Sequence, residues 1–351
     1  MTSTRPLRVI ESVSELKPTT NPYITQLIES LRERDDTDVA LFDFRTAILG
    51  RYDVFHVHWP EVTFGGAKPA GRLVRRLLTE LLMLRLAVTG TPIVRTWHNT
   101  ERPEGLSRWD YRLLDLFDRR TRAVVRVNDV TESPLDVPVH TVPLGHYRAW
   151  FSAHPTAEAT PGRVAYVGLI RRYKGVESLI EAFRSVTTSG ATLAVSGRPS
   201  NEELAETLRE LARPDERVTL RLEFLDDADF VAEVTSASLV VLPFVHMHNS
   251  STVLAALSLE RPVLVPDNEV NRRLAAEVGD GWIHTYSGEL DADDIESALD
   301  AAAPQSAPRF VLRDWDDSAR LHRVAFTDAA GLERNLPAAR DTAIDGRSTQ
   351  R

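Results

Sequence analysis

The sequence predicts an α/β protein built from two Rossmann-like domains facing each other across a cleft. Three observations predict it. The length of 351 residues suits two units of about 150 residues each. Short β-branched runs alternate with helical patterns, which reads as parallel sheet covered by helices on both faces. The alternation breaks once, at an Ala-, Thr- and Pro-rich stretch over residues 151–161, and then restarts. The expected layout is an N-terminal domain over 1–150, a hinge over 151–162, a second domain over 163–330 and a flexible tail over 331–351.

In the first half, residues 7–13 read as the opening strand. Asn21 and Pro22 start a helix over 23–34, because Asn caps well and Pro suits the first turn. Ile24, Leu27, Ile28 and Leu31 recur there at helical spacing. Residues 39–44, 54–58, 93–98 and 123–127 read as further strands, with helices over 72–86 and 106–120. In the second half, strands are expected over 164–167, 192–196, 218–224, 239–243 and 263–265. Helices are expected over 175–186, 202–212, 228–237, 251–259, 291–302 and 317–328. Doubly wound domains bind ligands beyond the C-terminal ends of their strands, so the cleft between two of them is the natural site.

The net charge of -9 argues against a nucleic-acid partner. Residues 1–155 hold 21 basic and 19 acidic groups, whereas the remainder holds 21 and 32. The absence of cysteine excludes disulfides, thiolate metal sites and a cysteine nucleophile. No apolar signal core and no spanning run of about 18 apolar residues is found, so the expected location is the cytoplasm. Arginine outnumbers lysine 39 to 3, which makes each lysine worth attention.

Two constellations in the second half suit an anionic ligand. The first follows the strand at 164–167. Gly168 lets a ligand approach the backbone, and Arg171, Arg172 and Lys174 offer positive charge to a diphosphate. The helix beyond Gly175 adds partial charge of its own. An ordinary surface loop is the alternative. The second constellation is the polar helix start His248, Asn249, Ser250, Ser251 and Thr252, with donors for phosphate or ribose oxygens. A plain capping cluster is the alternative. His246 and His248 lack a third ligand at metal spacing. The pairs Asp226-Asp227, Asp293-Asp294 and Asp316-Asp317 precede helices and read as caps or solvated helix starts.

In order, these motifs resemble the donor domain of GT-B glycosyltransferases. The resemblance rests on Gly168 through Gly175, Ser196-Gly197, Leu242-Pro243-Phe244, the polar helix start and Arg261 to Leu264. It implies donor contacts from Gly168, Arg172, Lys174, Asn249, Ser250, Ser251 and Thr252. Arg171, Gly197 and His248 join them as candidates. The large retaining branch departs from this chain. It carries two glutamates where Met247 and Ala255 stand here, and a glycine at the position of Glu260.

In the first half, Asn21-Pro22-Tyr23, the segment Asp53 to Glu61 and Thr96-Trp97-His98-Asn99 resemble a bacterial exopolysaccharide branch. It includes the xanthan-type GDP-mannose:glycolipid β-mannosyltransferases. The resemblance implies an inverting hexosyltransferase moving mannose from GDP-mannose onto a lipid-linked or saccharide acceptor. A retaining UDP- or GDP-sugar transferase, a hydrolysing epimerase and a non-catalytic nucleotide-sugar-binding subunit are the alternatives. His98 matches a histidine held against the donor sugar. His58 and Glu61 are the candidate general bases for the acceptor hydroxyl. His56, Trp59 and Asn99 are candidate acceptor contacts. No metal or cofactor is expected, the nucleotide-sugar being a co-substrate.

Residues 68–86 carry Lys68, Arg72, Arg75, Arg76 and Arg85 among seven leucines. They read either as a core-packing helix with a solvated basic face or as a peripheral contact with the inner face of the plasma membrane.

Overall fold

The computed structural model describes residues 5–332 apart from 18, 67, 99–101, 104 and 246. The expected tail beyond 332 and the candidate Asn99 lie outside the described residues. The first half runs β1 (Leu7–Glu11), α1 (Pro22–Arg32), β2 (Thr37–Ala40), α2 (Phe44–Leu49), β3 (Val54–Val57), α3 (Glu61–Phe64), α4 (Pro69–Thr89), β4 (Ile93–Trp97), α5 (Arg108–Arg120), β5 (Thr121–Arg126), β6 (Val139–Thr141) and α6 (Arg148–Phe151). The second runs β7 (Arg163–Val167), a 3-10 turn (Arg172–Lys174), α7 (Val176–Phe183), β8 (Thr192–Ser196), α8 (Glu202–Ala212), β9 (Val218–Arg221), α9 (Asp227–Ser236), β10 (Leu239–Val241), α10 (Ser251–Ser258), β11 (Val263–Pro266), α11 (Glu269–Val278), β12 (Ile283–Tyr286), α12 (Ala292–Asp300) and α13 (Trp315–Ala329).

Each half folds around one parallel sheet of six strands. The orders are β2-β1-β3-β4-β5-β6 and β12-β11-β10-β7-β8-β9. Strand order reverses between β1 and β3 in the first sheet and between β7 and β10 in the second. Loops leaving the C-terminal ends of such strands diverge and open a crevice. Residues 12–21 and 58–60 leave the first switch point, and 168–175 and 242–250 leave the second. Both candidate donor loops therefore flank one crevice.

Local chemistry starts and stops these elements where the site needs them. The Asn21 side chain accepts from the Tyr23 amide, and Pro22 fills the first turn of α1. Leu27, Ile28 and Leu31 on its inner face are fully buried. Asp226 caps α9, and Asp291 forms a capping box with Asp294 at α12, so these acidic pairs are caps. The expected strand over 39–44 ends at Ala40, because Asp43 caps the unexpected helix α2. Helices α3, α6 and α11 and strands β6 and β12 also go beyond the sequence reading. All but α11 span only 3–4 residues, too few to display a period.

One element changes sides. Helix α13 lies against α1, β4, β5 and β6 of the first sheet, although its sequence position grouped it with residues 163–330. Phe326, Ala319 and Ala325 are buried in the first domain's core. The Ser30 hydroxyl donates to the Trp315 carbonyl at 2.8 Å, and the Trp315 indole donates to the His146 carbonyl at 2.7 Å. The 151–162 stretch is likewise anchored. Phe151 stacks on Phe230 at 5.5 Å, and the Thr160 amide donates to the Ser236 carbonyl.

Helix α4 divides its leucines. Leu82 and Leu86 are buried, whereas Leu73, Val74, Leu77, Leu81, Leu84 and Val88 are exposed. At 100° per residue the six exposed positions span roughly 100° of the helix surface. Three of its arginines are held by protein partners instead. Arg75 donates to the Thr63 and Val62 carbonyls, Arg76 pairs with Asp110, and Arg85 donates to the Gly50 carbonyl. The expected solvated basic face is thus an apolar one.

Candidate active site

At the second switch point the chain is folded for close backbone approach. A Cβ on Gly197 would lie 1.8 Å from the Gly168 carbonyl oxygen, so only glycine lets these two loops touch. Gly175, at φ +65, presses its α-carbon against the Pro243 carbonyl in the same way. The Lys174 ammonium lies 4.8 Å from the Phe244 ring centroid. Burial and the neighbouring Arg171 charge lower the Lys174 pKa to about 8.

Lys174, Leu169, Ser251, Thr252 and Ala255 line one wall of an interdomain cavity of about 340 Å³, with Phe224, Leu225, Asp227 and Phe230. Residues 19–22, Tyr147 and Phe151 form the opposite wall. Ala255 brings a methyl group, not a carboxylate, to the cavity wall at that point. Glu260, at φ 56, occupies a left-handed turn.

The remaining donor candidates sit differently. Arg172 turns outward to Glu203 at 2.7 Å and Glu177 at 3.8 Å. Arg171 donates to the adjacent Ile170 carbonyl. Ser250 caps α10 by accepting from the Val253 amide. His248 Nε2 and Asn249 Nδ2 both donate to the His98 carbonyl, at 2.8 and 3.0 Å, and so tie the two domains together. Asn249 and Ser250 line a second interdomain cavity, of about 270 Å³, with Asn128 and Arg273.

At the first switch point, imidazoles cluster beneath the cleft. Parallel register sets Glu11 opposite His56. His56 Nδ1 meets Glu11 Oε1 at 2.8 Å, and its Nε2 meets the Thr96 hydroxyl at 2.8 Å. His58 Nε2 faces Glu11 Oε2 at 3.4 Å, while its Nδ1 meets His98 Nε2 at 3.0 Å. His98 stacks on Trp59 at 4.6 Å and takes the Tyr23 ring edge-on at 5.4 Å.

One expectation is corrected here. His56 has no exposed surface, so it cannot touch an acceptor. His58 is 2% exposed and lines a separate small pocket beside His98, with its ring nitrogens turned to His98 and Glu11. Half-buried His98 and Trp59 line the same pocket with Glu61, Arg95, Trp97 and Arg102. Trp59 and Glu61 thus stand beside the same histidine. Glu61 is close enough to Arg95 for their charges to couple.

The electrostatics of the cluster follow from one buried carboxylate among several imidazoles. Burial alone would raise the Glu11 pKa, but His56 and His58 outweigh it and hold Glu11 ionised, well below the usual range. Burial and His56 lower His58 to about 4, and burial and His58 lower His98. These rings are neutral near pH 7. Among the described residues, Glu11, His56 and His58 are also the group whose ligand atoms fall within 4.8 Å of each other. Both His56 nitrogens already have protein partners, so no lone pair remains on that ring for a cation.

Glu11 and His322 were not singled out in the sequence, and Tyr23 and Thr96 stood there only as motif residues without a role. Glu11 ends a strand like a solvated residue, and only parallel pairing with β3 sets it beside His56. His322 arrives on α13, with its ring 5.4 Å from that of His56.

Two doubly wound domains with loop pairs converging on one cleft make up the GT-B architecture. Solved structures share the fold. An α,α-trehalose-phosphate synthase from Burkholderia vietnamiensis aligns at TM-score 0.59, with 11% identity over 93% of this chain and 100% of that one. Anabaena HepE in complex with UDP-glucose aligns at TM-score 0.57, with 12% identity over 93% and 97%. Residues 161–301 match the family model for glycosyl transferases group 1. A GDP-mannose:glycolipid 4-beta-D-mannosyltransferase of Xanthomonas campestris pv. campestris is 38% identical over 93% of this chain and 94% of its own length. The chain belongs to that glycosyltransferase family.

Proposed function

We propose that the chain transfers mannose from GDP-mannose to a glycolipid acceptor with inversion, without a metal, at a membrane surface. The observation that carries the reading is the interdomain cavity, where Lys174 and the α10 residues Ser251 and Thr252 face the start of α1. A cation and helix-start donors at one wall suit a diphosphate. The reaction leaves charge on the departing diphosphate, and Lys174 is the residue that neutralises it. His98, Trp59 and Glu61 form the acceptor side. A β product from an α-linked nucleotide-sugar inverts the anomeric carbon, which calls for a base at the acceptor hydroxyl.

One feature favours the membrane surface, and no helix among the described residues is long and apolar enough to cross a bilayer. The exposed apolar face of α4 is flanked by Leu49 and Val62 on the neighbouring α2 and α3, while Arg45, Arg51, Arg108 and Arg112 are exposed on or next to α2 and α5. An apolar stripe with a basic surround suits anionic lipid. That location is the inner leaflet, where the nucleotide-sugar is available.

A ligand that binds only the folded state raises its apparent stability by about RT ln(1+[L]/Kd). GDP and GDP-mannose are expected to raise Tm more than UDP, dTDP and their sugars, without added divalent cation. Mannose label is then expected in the lipid fraction of acceptor-bearing membranes, and NMR of the product should show a β linkage. A larger shift with UDP-sugars, or an α product, overturns the reading.

A further inference from the structure

We infer that Glu11, acting through His58, fixes the protons of His98 so that its Nδ1 carries a free lone pair for the acceptor hydroxyl. The inference rests on the transferase reading above and assigns the base within it. Glu11 is the positioning residue, His58 the relay and His98 the catalytic residue.

Donors and acceptors must alternate along this chain of contacts. Buried Glu11 is ionised and can only accept. Its Oε1 takes the proton of His56 Nδ1, and His56 Nε2 meets the Thr96 hydroxyl, so both nitrogens of that ring are engaged away from His58. Glu11 Oε2 and His58 Nε2 face each other at 3.4 Å, and neither has another hydrogen-bond partner. The proton of His58 therefore belongs on Nε2, toward the carboxylate. Its Nδ1 is then a lone pair, and the 3.0 Å contact requires His98 Nε2 to donate. A neutral imidazole with its proton on Nε2 has an unprotonated Nδ1.

Other neighbours leave this order intact. His322 is fully buried and donates from Nδ1 to the Ser318 carbonyl, so it brings no proton to the carboxylate. Tyr23 meets His98 edge-on, and His248 bonds its backbone carbonyl rather than its ring. Glu61 shares the His98 pocket with Arg95 and, among the described residues, makes no hydrogen bond to any of the three imidazoles, so it does not alter their proton order.

In the transfer step the acceptor oxygen bonds to the anomeric carbon. The bond from that carbon to the diphosphate oxygen breaks, and its electron pair leaves with the diphosphate. The acceptor proton passes to His98 Nδ1. The imidazolium charge is stabilised through His58 by Glu11, as a buried carboxylate stabilises a histidine base in hydrolases.

The first test reads tautomers directly. In the 15N spectrum of the full-length protein at pH 7.5, His98 is expected protonated at Nε2 with Nδ1 free. Protonation at Nδ1 in the wild type overturns the inference, whatever the donor proves to be. Glu11→Gln keeps the size of the side chain but can donate to His58 Nε2, which reverses both rings. It is expected to place the His98 proton on Nδ1 and to lower kcat by about 10²–10⁴-fold, with the KM for GDP-mannose unchanged. A variant that binds GDP-mannose and keeps kcat within threefold of wild type overturns the inference. Should Glu11→Gln fail to fold, His98→Ala decides it. Added imidazole is expected to restore transfer to that variant, and no restoration with donor binding intact overturns the assignment. A wild-type protein that shows the expected tautomer but transfers no mannose refutes the proposed substrate instead, leaving the proton order standing.

Discussion

At the scale of single residues, Lys174 makes the donor cavity electrostatically conditional. Its pKa of about 8 in the free protein reflects burial first and Arg171 second. The ammonium is therefore fully present below pH 7 and lost as pH rises through 8. Bound diphosphate raises the value again, so binding takes up a proton above that point. GDP-mannose affinity measured by calorimetry is expected to weaken between pH 7 and 9. Lys174→Ala should weaken it by about 10–100-fold at pH 7, because a charged hydrogen bond contributes about 1.5–3 kcal/mol. The variant should also lose most of the pH dependence.

Glu260 offers a second residue-level test. It holds φ 56, in the left-handed region that favours glycine. A left-handed conformation costs a non-glycine residue about 1–2 kcal/mol, against about 0.5–1 for the added freedom of glycine in the unfolded chain. Glu260→Gly is expected to stabilise the fold by roughly 0.5–1 kcal/mol in urea titration. Replacement by valine should destabilise it.

At the scale of elements, helix α4 shows why an apolar period gives a helix without giving its orientation. The leucines at 73, 77, 81 and 84 and those at 82 and 86 each recur at helical spacing. Only the tertiary contacts of Arg75, Arg76 and Arg85 determine which set turns inward. Leu77→Glu with Leu81→Glu is expected to abolish co-sedimentation with anionic vesicles and leave Tm nearly unchanged, since both side chains are exposed. Unaltered sedimentation would remove this helix from the membrane contact.

The two donor loops were legible for a physical reason. Each is a strand, a turn and a helix start within about a dozen residues, so its chemistry is written locally. Gly168, Lys174, Ser251 and Thr252 fall into place once the strand order brings their loops together. The roles of Glu11, Thr96 and His322 were not legible. Their partners lie 45, 40 and about 266 positions away along the chain, by the numbering of His56. His56 and His58 stood out as types, but alternation along β3 gave no sign that both would be covered. The cover over His56 is α13, and nothing local marks that helix as part of the first domain.

At the scale of the whole molecule, α13 makes the first domain depend on the end of the chain. Phe326 is completely buried against residues of the first sheet. Phe326→Ala is expected to cost about 3–5 kcal/mol, read as a lower urea midpoint. The loss should appear as unfolding of the first domain, with GDP binding by the second retained at denaturant concentrations where His58 and His98 resonances have already collapsed. Simultaneous loss of both signals would mean that the two sheets unfold as one unit.

The return of α13 has a consequence for recombination. The polypeptide crosses between the lobes twice, so the second lobe is topologically an insertion into the first. Cleavage within 151–162 alone would leave two fragments still bolted together through Trp315 and Phe326. An exchange of sugar specificity between relatives should therefore graft an internal cassette with both its ends in the connectors. A transplant running to the C-terminus would carry away a piece of the recipient's own core.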